Sequence, residues 1–273
     1  MFALLPATAN AVRVEFASAE GTPLAAHWLP VAVDGTPRPA IVALHGCGGL
    51  YRRDGMTLEA RYTDYAARFA AAGYHLLLPD SFGSRGSGPI CTVRNGERTI
   101  KVETRRADAI AAVRWLAQQP EVDARRIVIL GWSHGAMTTL VAINSARADA
   151  ARPDAATPLA GAVAFYPGCR ALLRETFTLD TPLLMLLGEK DDWTPPARCV
   201  QLAERTRERQ PAAELTVRVY PDSYHGFDGK APLRFRRDVP NGTDPEGVHA
   251  GGNPVARTEA LRELDLFLQR ILN

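Results

Sequence analysis

The sequence predicts an α/β fold, in which a mostly parallel β-sheet has helices on both faces. Two observations lead to this prediction. Short apolar runs of strand length alternate along the chain with longer stretches that have one apolar helical face. Most of these runs are apolar throughout, as buried parallel strands are, and they end in glycine-rich or turn-forming residues. Strands that alternate with helices are joined by right-handed crossovers, which give a parallel sheet.

The first half of the chain provides four strands and two helices. Two segments alternate or run apolar and suit an antiparallel hairpin, and two more suit buried parallel strands. The hairpin segments are 11–17 and 23–29, and the buried strands are 41–45 and 74–80. Helices are expected at 58–72 and 101–119 because apolar residues there recur on one face. That face of the second helix consists of Ala107, Ile110, Val113 and Leu116.

The second half continues the alternation to the C-terminus. The expected strands are 126–132, 159–167, 182–188 and 215–221, and the expected helices are 134–148 and 195–209. A terminal helix is indicated by the apolar stripe of Leu261, Leu264, Leu268, Ile271 and Leu272. Between the last strand and this helix, residues 229–255 are rich in glycine, proline and charge. We expect a long surface loop there.

Length, composition and charge limit the organisation and the partners. The chain has 273 residues, 46% hydrophobic and 23% charged, with a net charge of +2. We expect one domain over 1–273 without a large lid, because connections such as 167–181 are short. The basic groups at 104–110 and 205–210 have acidic neighbours and are expected to be solvated, so nucleic acid is not an expected partner. No apolar run approaches the ~18 residues that span a bilayer, so a membrane is not expected either.

The N-terminus and the four cysteines leave the cellular location open between cytoplasm, periplasm and secretion. Residues 1–11 resemble the end of a signal peptide but lack a basic region before it. Cys47, Cys91, Cys169 and Cys199 form no C-x-x-C pair, so a zinc site is not expected. They are either reduced, mostly buried thiols or include one disulfide of an exported protein. The best candidate bridge joins Cys169 to Cys199, which follow neighbouring predicted strands.

The candidate nucleophile is Ser133, in the stretch GWSHGA. The motif Gly131-x-Ser133-x-Gly135 follows an apolar strand and precedes a helical stretch, which is the strand–turn–helix of a nucleophile elbow. In so sharp a turn, side chains at 131 or 135 would collide with the strand or the helix. The alternative is that Ser133 is an ordinary helix N-cap.

His134 follows the serine directly, but we do not expect it to be the catalytic base. A base must lie within ~3 Å of the serine oxygen, and adjacent side chains on a tight turn point in different directions. Its main-chain N–H lies at a helix N-terminus and can stabilise an oxyanion. A second N–H donor is expected from the glycine-rich loop after 41–45, at Cys47 or alternatively Gly48. Without an elbow, Cys47 is not favoured as the nucleophile.

The base and its orienting carboxylate are expected from later strand ends. His225 follows the last predicted strand and is the candidate base, with His249 a distant second. Asp191 and Asp192 directly follow a buried strand, and we choose Asp191 as the carboxylate that orients the imidazole. The chain order Ser133, Asp191, His225 is the Ser…Asp…His order of one particular fold.

Together these motifs resemble the dienelactone hydrolase family of α/β-hydrolases. The resemblance extends from residue 41 to about 228 and rests on LHGCGGL, PDSFGSRG, GWSHGA, FYPGC, GEKDDWTP and YHGFD. It implies an α/β-hydrolase fold, with an eight-stranded, mostly parallel sheet and a triad at its carboxyl edge. The family's Gly-x-x-Asp spacing falls on Gly188 and Asp191, and its His-Gly-Phe begins at His225. The family's namesake enzymes use a cysteine nucleophile where this chain has Ser133.

The namesake enzymes also clamp a substrate carboxylate with arginines. Arg85 is the candidate for one of them, with a structural loop arginine as the alternative; no basic residue directly follows His225, and the next arginine is Arg234. We expect an open, aromatic-lined site suited to aryl or bulky esters. Its expected lining residues are Phe82, Trp132, Tyr166 and Trp193.

The predicted function is hydrolysis of carboxylic esters through an acyl-enzyme on Ser133, with His225 as base and Asp191 as its partner. This chemistry requires neither a metal nor an organic cofactor. The expected ligand is a small-molecule ester or lactone. Three alternatives stay open: a lactone or dienelactone hydrolase, a non-catalytic protein of this fold that binds a ligand, and an enzyme that transfers the acyl group to an acceptor other than water.

Overall fold

A computed structural model describes residues 11–147 and 159–273. Eight strands form one sheet in the order β1-β2-β4-β3-β5-β6-β7-β8. β1 and β2 are an antiparallel hairpin whose second strand runs antiparallel to β4, and the other six strands are parallel to one another. The strands are β1 Val12–Ala17, β2 Pro23–Leu29, β3 Arg38–Leu44, β4 His75–Pro79, β5 Val122–Trp132, β6 Leu159–Phe165, β7 Leu183–Gly188 and β8 Leu215–Tyr220. The expected α/β-hydrolase fold is confirmed.

Helices cover both faces of this sheet. Alternate residues of β3 divide between the faces: Ile41 packs in the cluster that holds α1 and α5, and Val42 in the cluster that holds α2, α3 and α4. This alternation follows from the two-residue period of a strand. The helices are α1 Ala60–Ala71, α2 Val102–Ala117, α3 His134–Ile143, α4 Ala197–Arg209 and α5 Pro254–Leu272. Among the described residues, no helix combines the length and the apolar character that crossing a bilayer requires.

Two expectations about individual elements are corrected. The helix expected at 134–148 ends at Ile143, because Asn144 adopts an extended backbone and its side chain bonds to Thr176 and Thr178. Residues 229–255 are not simply a loop. They contain a small antiparallel sheet of β9 (Arg234–Arg236) and β10 (Val248–Ala250). Strands of three residues are too short to produce a recognisable pattern in the sequence.

The basic group at 104–110 is not a solvated surface, contrary to the expectation. Arg105 and Arg106 lie on the buried side of α2. α2 is covered on more than one side, because it packs against α3 as well as against the sheet. The pattern of charges along the sequence does not reveal that α3 packs against α2. The signal-like start of the chain lies mostly in residues 1–10, outside the described residues.

Candidate active site

Ser133 lies at the turn between β5 and α3, at the carboxyl edge of the sheet. Its backbone has φ 52° and ψ −114°, a conformation that non-glycine residues adopt rarely and mostly where function requires it. A Cβ at Gly131 would overlap the Gly135 carbonyl, and a Cβ at Gly135 would overlap the carbonyl of Leu44. Glycine is therefore sterically required at both positions. The Ser133 side chain makes no helix-capping hydrogen bond, so the N-cap alternative does not describe it.

Ser133, His225 and Asp191 lie together in one chain of hydrogen bonds. His225 Nε2 is 2.9 Å from Ser133 Oγ, and His225 Nδ1 is 2.8 Å from Asp191 Oδ2. The His225 and Asp191 side chains are only 6% and 1% exposed. Because a carboxylate can only accept, Nδ1–H donates to Asp191, which leaves Nε2 free to accept the Ser133 proton. This is the tautomer that a general base requires.

Asp191 is held by a tight turn that the sequence analysis did not recognise. Its Oδ1 accepts the backbone N–H groups of Trp193 at 2.9 Å and Thr194 at 2.8 Å, and Thr194 Oγ1 lies 2.9 Å from Oδ2. Thr194 Oγ1 is also 3.1 Å from His225 Nδ1. The signal was present as Asp-x-x-Thr, a spacing that suits an Asx turn. This turn fixes the carboxylate against the imidazole.

The ring of His134 points away from the reacting serine, towards the interior. His134 Nδ1 faces Nη1 of Arg105 at 2.9 Å, and the ring is buried. Burial, together with the nearby Arg105 charge, holds the pKa of His134 well below its usual value, so the ring is neutral near pH 7. The ring therefore packs against Arg105, and the main-chain N–H is the candidate contribution of His134 to the site.

The second candidate N–H donor, Cys47, lies in the loop after β3. A Cβ on the preceding Gly46 would be 3.7 Å from the Ser133 Cβ, so the loop passes beside the candidate nucleophile. Within the described residues, the N–H groups of Cys47 and His134 have no hydrogen-bond acceptor in the protein. Both are thus available to an oxyanion at Ser133.

The four cysteines form two disulfides, whereas the sequence leaves open whether they are reduced or include one disulfide. Cys47 is bonded to Cys91, and Cys169 to Cys199. The second bridge is the one expected from the neighbouring strand ends. The first was missed because Cys91 lies in an irregular stretch with no strand to place it. Since Cys47 has no free thiol, it is not a nucleophile.

Arg85 does not line the cleft, and the expectation that it binds substrate is corrected in favour of the structural alternative. Its guanidinium forms two 2.8 Å hydrogen bonds to the carboxylate of Asp108 and one of 3.0 Å to Ser81 O. The Asp108 side chain is completely buried, so its charge requires this partner. Both terminal nitrogens of Arg85 are therefore bonded within the protein.

Only one of the four aromatic candidates lines the cleft. Trp193 lies on its wall, with its ring 4.5 Å from that of His225. Tyr166 is buried and packs its ring 4.6 Å from His225, while Phe82 is buried behind the Cys47 loop, 4.5 Å from His45. Trp132 is also buried. The strand directs its ring to the opposite face of the sheet, where Nε1 donates to Asp228 at 3.0 Å.

The cleft that opens at Ser133 has a volume of about 670 Å³, a usual size for a small-molecule site. Residues 241–243, from the segment between β9 and β10, form part of its wall. The rim is rich in basic side chains, which are Arg98, Lys101, Arg147, Arg170, Arg174 and Arg198, with Glu103 and Glu175 among them.

The model of the dienelactone hydrolase family matches residues 25–244, most of the chain. This chain belongs to the dienelactone hydrolase family. It is accordingly a hydrolase of carboxylic esters, a class that includes lactones. Among solved structures, the apo form of Thermogutta terrifontis esterase 2 is similar at 20% identity and a TM-score of 0.66, over 97% of this chain and 96% of that one. The protein m3DLH is similar at 19% identity and a TM-score of 0.69, over 97% of this chain and 99% of that one. At such identities the structures share the fold with this member of the dienelactone hydrolase family.

Proposed function

We propose that this protein hydrolyses carboxylic esters through an acyl-enzyme on Ser133. The observation that carries the proposal is the buried hydrogen-bond chain from Asp191 through His225 to Ser133, with its 2.8 and 2.9 Å links. Nucleophile, base and orienting carboxylate are the three parts that activate a serine hydroxyl. The strained backbone of Ser133 supports the same role.

In the proposed reaction, Ser133 Oγ attacks the ester carbonyl as its proton passes to His225 Nε2. Asp191 stabilises the imidazolium, and the N–H groups of Cys47 and His134 hold the oxyanion. His225 then protonates the leaving alcohol, and the acyl group remains on Ser133. A water molecule, deprotonated by His225, attacks this acyl group and releases the acid.

The substrate is proposed to be a small ester with room for a bulky acyl or alcohol group. The cleft volume of about 670 Å³ supports this size, and Trp193 offers one aromatic surface beside the base. A structure of Thermogutta terrifontis esterase 2, which is similar at 20% identity, holds propionate. That ligand supports a carboxylic acid as the product.

Lactone hydrolysis is the second candidate, and the basic rim of the cleft favours it for lactones that carry a carboxylate. Arg98, Arg170 and Arg198 line this rim, whereas Arg85 is occupied by Asp108. A paired panel of esters and lactones, each with and without a carboxylate, separates the two candidates. If lactones are the substrates, the enzyme turns over the carboxylated lactones best, and Arg98→Met lowers that preference.

The test of the proposed function is Ser133→Ala assayed with p-nitrophenyl acetate. We expect kcat/KM to fall at least ~10³-fold, the scale of triad losses. Ser87→Ala is the matched control, since its hydroxyl bonds only to Gly88 O at the surface, and it should keep full activity. A loss below tenfold in Ser133→Ala, with the protein folded, contradicts the proposal.

We also propose that the protein works in an oxidising compartment, because two disulfides persist poorly where glutathione keeps thiols reduced. Mass measurement after alkylation of the protein isolated from its natural host should show no modified cysteine without reductant and four with it. Alkylation of all four without reductant would contradict this location.

A further inference from the structure

Arg105 is a completely buried cation that the proposed mechanism does not use. Both of its hydrogen bonds go to neutral groups: Nη2 donates to His45 O at 2.8 Å, and Nη1 donates to His134 Nδ1 at 2.9 Å. The nearby carboxylate of Asp108 is engaged in two bonds with Arg85. Burial lowers the pKa of Arg105 to about 10, so the guanidinium stays charged near neutral pH.

A buried charge of this kind weakens the folded state unless it is well paired, so its presence calls for an explanation. Hydrogen bonds from a guanidinium to a carbonyl oxygen and a neutral ring nitrogen are weaker than those to a carboxylate. The Arg105 guanidinium also lies 5.0 Å from the centre of the Phe82 ring, within the range of a cation–π contact. Stability alone does not account for an arginine here.

The two acceptors of Arg105 belong to the two segments that carry the candidate oxyanion donors. His45 directly follows β3, two residues before Cys47, and His134 is itself the first residue of α3. These segments touch directly, because a Cβ at Gly135 would overlap the His45 carbonyl region. Arg105 therefore joins the Cys47 loop to the start of α3 from behind.

We propose that Arg105 is the positioning residue of the oxyanion hole: through His45 O and His134 Nδ1 it fixes the spacing between the N–H groups of Cys47 and His134. The planar guanidinium suits this task, because it presents two donors in a rigid fork. Oxyanion donors must lie within a few tenths of an ångström of their best positions, so a small change in spacing has a large effect on rate. This inference rests on the proposed function.

Such a residue affects the transition state more than substrate binding. The oxyanion forms only when the carbonyl carbon becomes tetrahedral, so loss of Arg105 should lower kcat with little change in KM. A lysine keeps the charge but offers a single flexible point donor, so it cannot hold both segments. Arg105→Lys therefore separates geometry from charge.

The experiment measures kcat and KM of Arg105→Lys and Arg105→Met on an aryl ester and on the matching thionoester. We expect kcat on the ester to fall roughly 10²-fold, as when one oxyanion donor is removed, with KM within about threefold of the parent. The loss on the thionoester should be several times smaller, because its sulfur is a weak hydrogen-bond acceptor. If Arg105 had a merely structural role, its loss would lower kcat equally on the ester and on the thionoester.

The matched control is Arg126→Met. Arg126 likewise bonds to separate segments of the chain, donating to Leu272 O at 3.0 Å, Pro37 O at 3.2 Å and Asp123 Oδ2 at 2.9 Å, but it lies near the start of β5, at the opposite edge of the sheet. This variant should lose thermal stability and keep its kcat. If the Arg105 variants do not fold, His134→Ala replaces them. In this variant Arg105 stays in place but lacks one of its two acceptors. Its kcat should fall more on the ester than on the thionoester, by a smaller factor than in the Arg105 variants.

Two results overturn the inference: a kcat of Arg105→Lys within threefold of the parent, or equal losses on ester and thionoester. With unfolded Arg105 variants, equal losses in His134→Ala overturn it. Failure of the proposed function looks different. If Ser133→Ala keeps its activity, the serine mechanism itself is wrong, whereas an inactive Ser133→Ala beside a fully active Arg105→Lys refutes only the role of Arg105.

Discussion

Asp191 and Asp192 are adjacent in the chain, and each holds one histidine. Asp191 Oδ2 lies 2.8 Å from His225 Nδ1, and Asp192 Oδ2 lies 2.7 Å from His249 Nδ1. The two pairs differ in what surrounds the ring. His225 Nε2 is 2.9 Å from Ser133 Oγ, whereas the His249 ring lies between two aromatic rings, each with its centre 4.8 Å away.

Burial separates the pairs as clearly as their neighbours do. The His225 and Asp191 side chains are 6% and 1% exposed, against 39% and 21% for His249 and Asp192. The hydrogen bond from an imidazole to a carboxylate is stronger, and orients the ring more firmly, when water is excluded. The comparison shows that an aspartate–histidine pair is not by itself a catalytic feature. What distinguishes the Asp191–His225 pair is the elbow that brings Ser133 Oγ to the free ring nitrogen.

The Asp192–His249 pair has a different use, which is to anchor the segment between β9 and β10. Asp192 Oδ1 accepts the His249 backbone N–H at 2.9 Å, and Asp192 O accepts that of Thr243 at 2.8 Å. The segment that forms part of the cleft wall is thus tied to the loop that carries Asp191. One loop thus carries the candidate carboxylate Asp191 and supports the wall of the cleft.

Replacing each aspartate by asparagine tests this division most strongly. Asp191→Asn should lower kcat roughly 10²- to 10⁴-fold, because an amide does not fix the tautomer of His225 or stabilise its charge. Asp192→Asn should stay within about fivefold, since it disturbs only the wall of the cleft. Turnover of a p-nitrophenyl ester measures both. Equal losses in the two variants would contradict the comparison.

The segment between β9 and β10 is also held at Asn241, and removing the disulfides tests that attachment. Asn241 bonds to Val93 O and to the Asn95 N–H, at 2.9 Å each, in the stretch that Cys91 ties to Cys47. Replacing Cys47 and Cys91 together by serine should cost about 2–4 kcal/mol of unfolding free energy and also lower kcat, because the loop of an oxyanion donor is released.

The other bridge is the matched control for that prediction. Replacing Cys169 and Cys199 by serine should cost a similar free energy, about 2–4 kcal/mol, with a much smaller change in kcat. Urea unfolding and ester turnover, measured on both double variants, check the two parts. A larger kcat loss in the Cys169/Cys199 variant would show that the Cys47 loop does not depend on its bridge.

The smallest effect concerns pH and the buried histidines behind the site. Burial holds the pKa values of His45 and His134 well below 6.5, so the folded protein keeps both rings neutral where the unfolded chain takes up protons. The free energy of unfolding should therefore fall as the pH drops below about 6.5, by up to about 1.4 kcal/mol per pH unit for each ring. Urea unfolding between pH 7.5 and 5.5 measures this. His134→Gln should reduce the slope; a slope that is unchanged would contradict a neutral buried ring.

The sequence predicts that the three triad candidates meet, because parallel strands end at one edge of the sheet. Ser133, Asp191 and His225 each follow an apolar run, and topology alone brings such positions together. The contacts between irregular segments are not predictable in this way. Cys91 has no strand to place it, and Arg105 lies in a basic group typical of a solvated helix face. Its burial depends on how α2 packs against α3.

The aromatic residues show the same limit in another form. Trp132 and Tyr166 lie at strand ends near the serine, yet their rings point to buried positions around Asp228, where Trp132 Nε1 and Tyr166 Oη donate at 3.0 and 2.7 Å. Closeness in sequence to a site residue does not fix the direction of a side chain. Trp193, on the turn that holds Asp191, is the one that reaches the cleft.

The most direct test of the central claim is the rate at which a fluorophosphonate labels Ser133 in His225→Ala, His249→Ala and His134→Ala, with the labelled residue mapped by mass spectrometry. We expect the label on Ser133 in the parent protein and a rate at least ~10³-fold lower in His225→Ala. The rate should be nearly unchanged in His249→Ala and reduced about tenfold or less in His134→Ala. Rapid labelling of His225→Ala, or a collapse of the rate in His249→Ala, would contradict the assignment of His225 as the base.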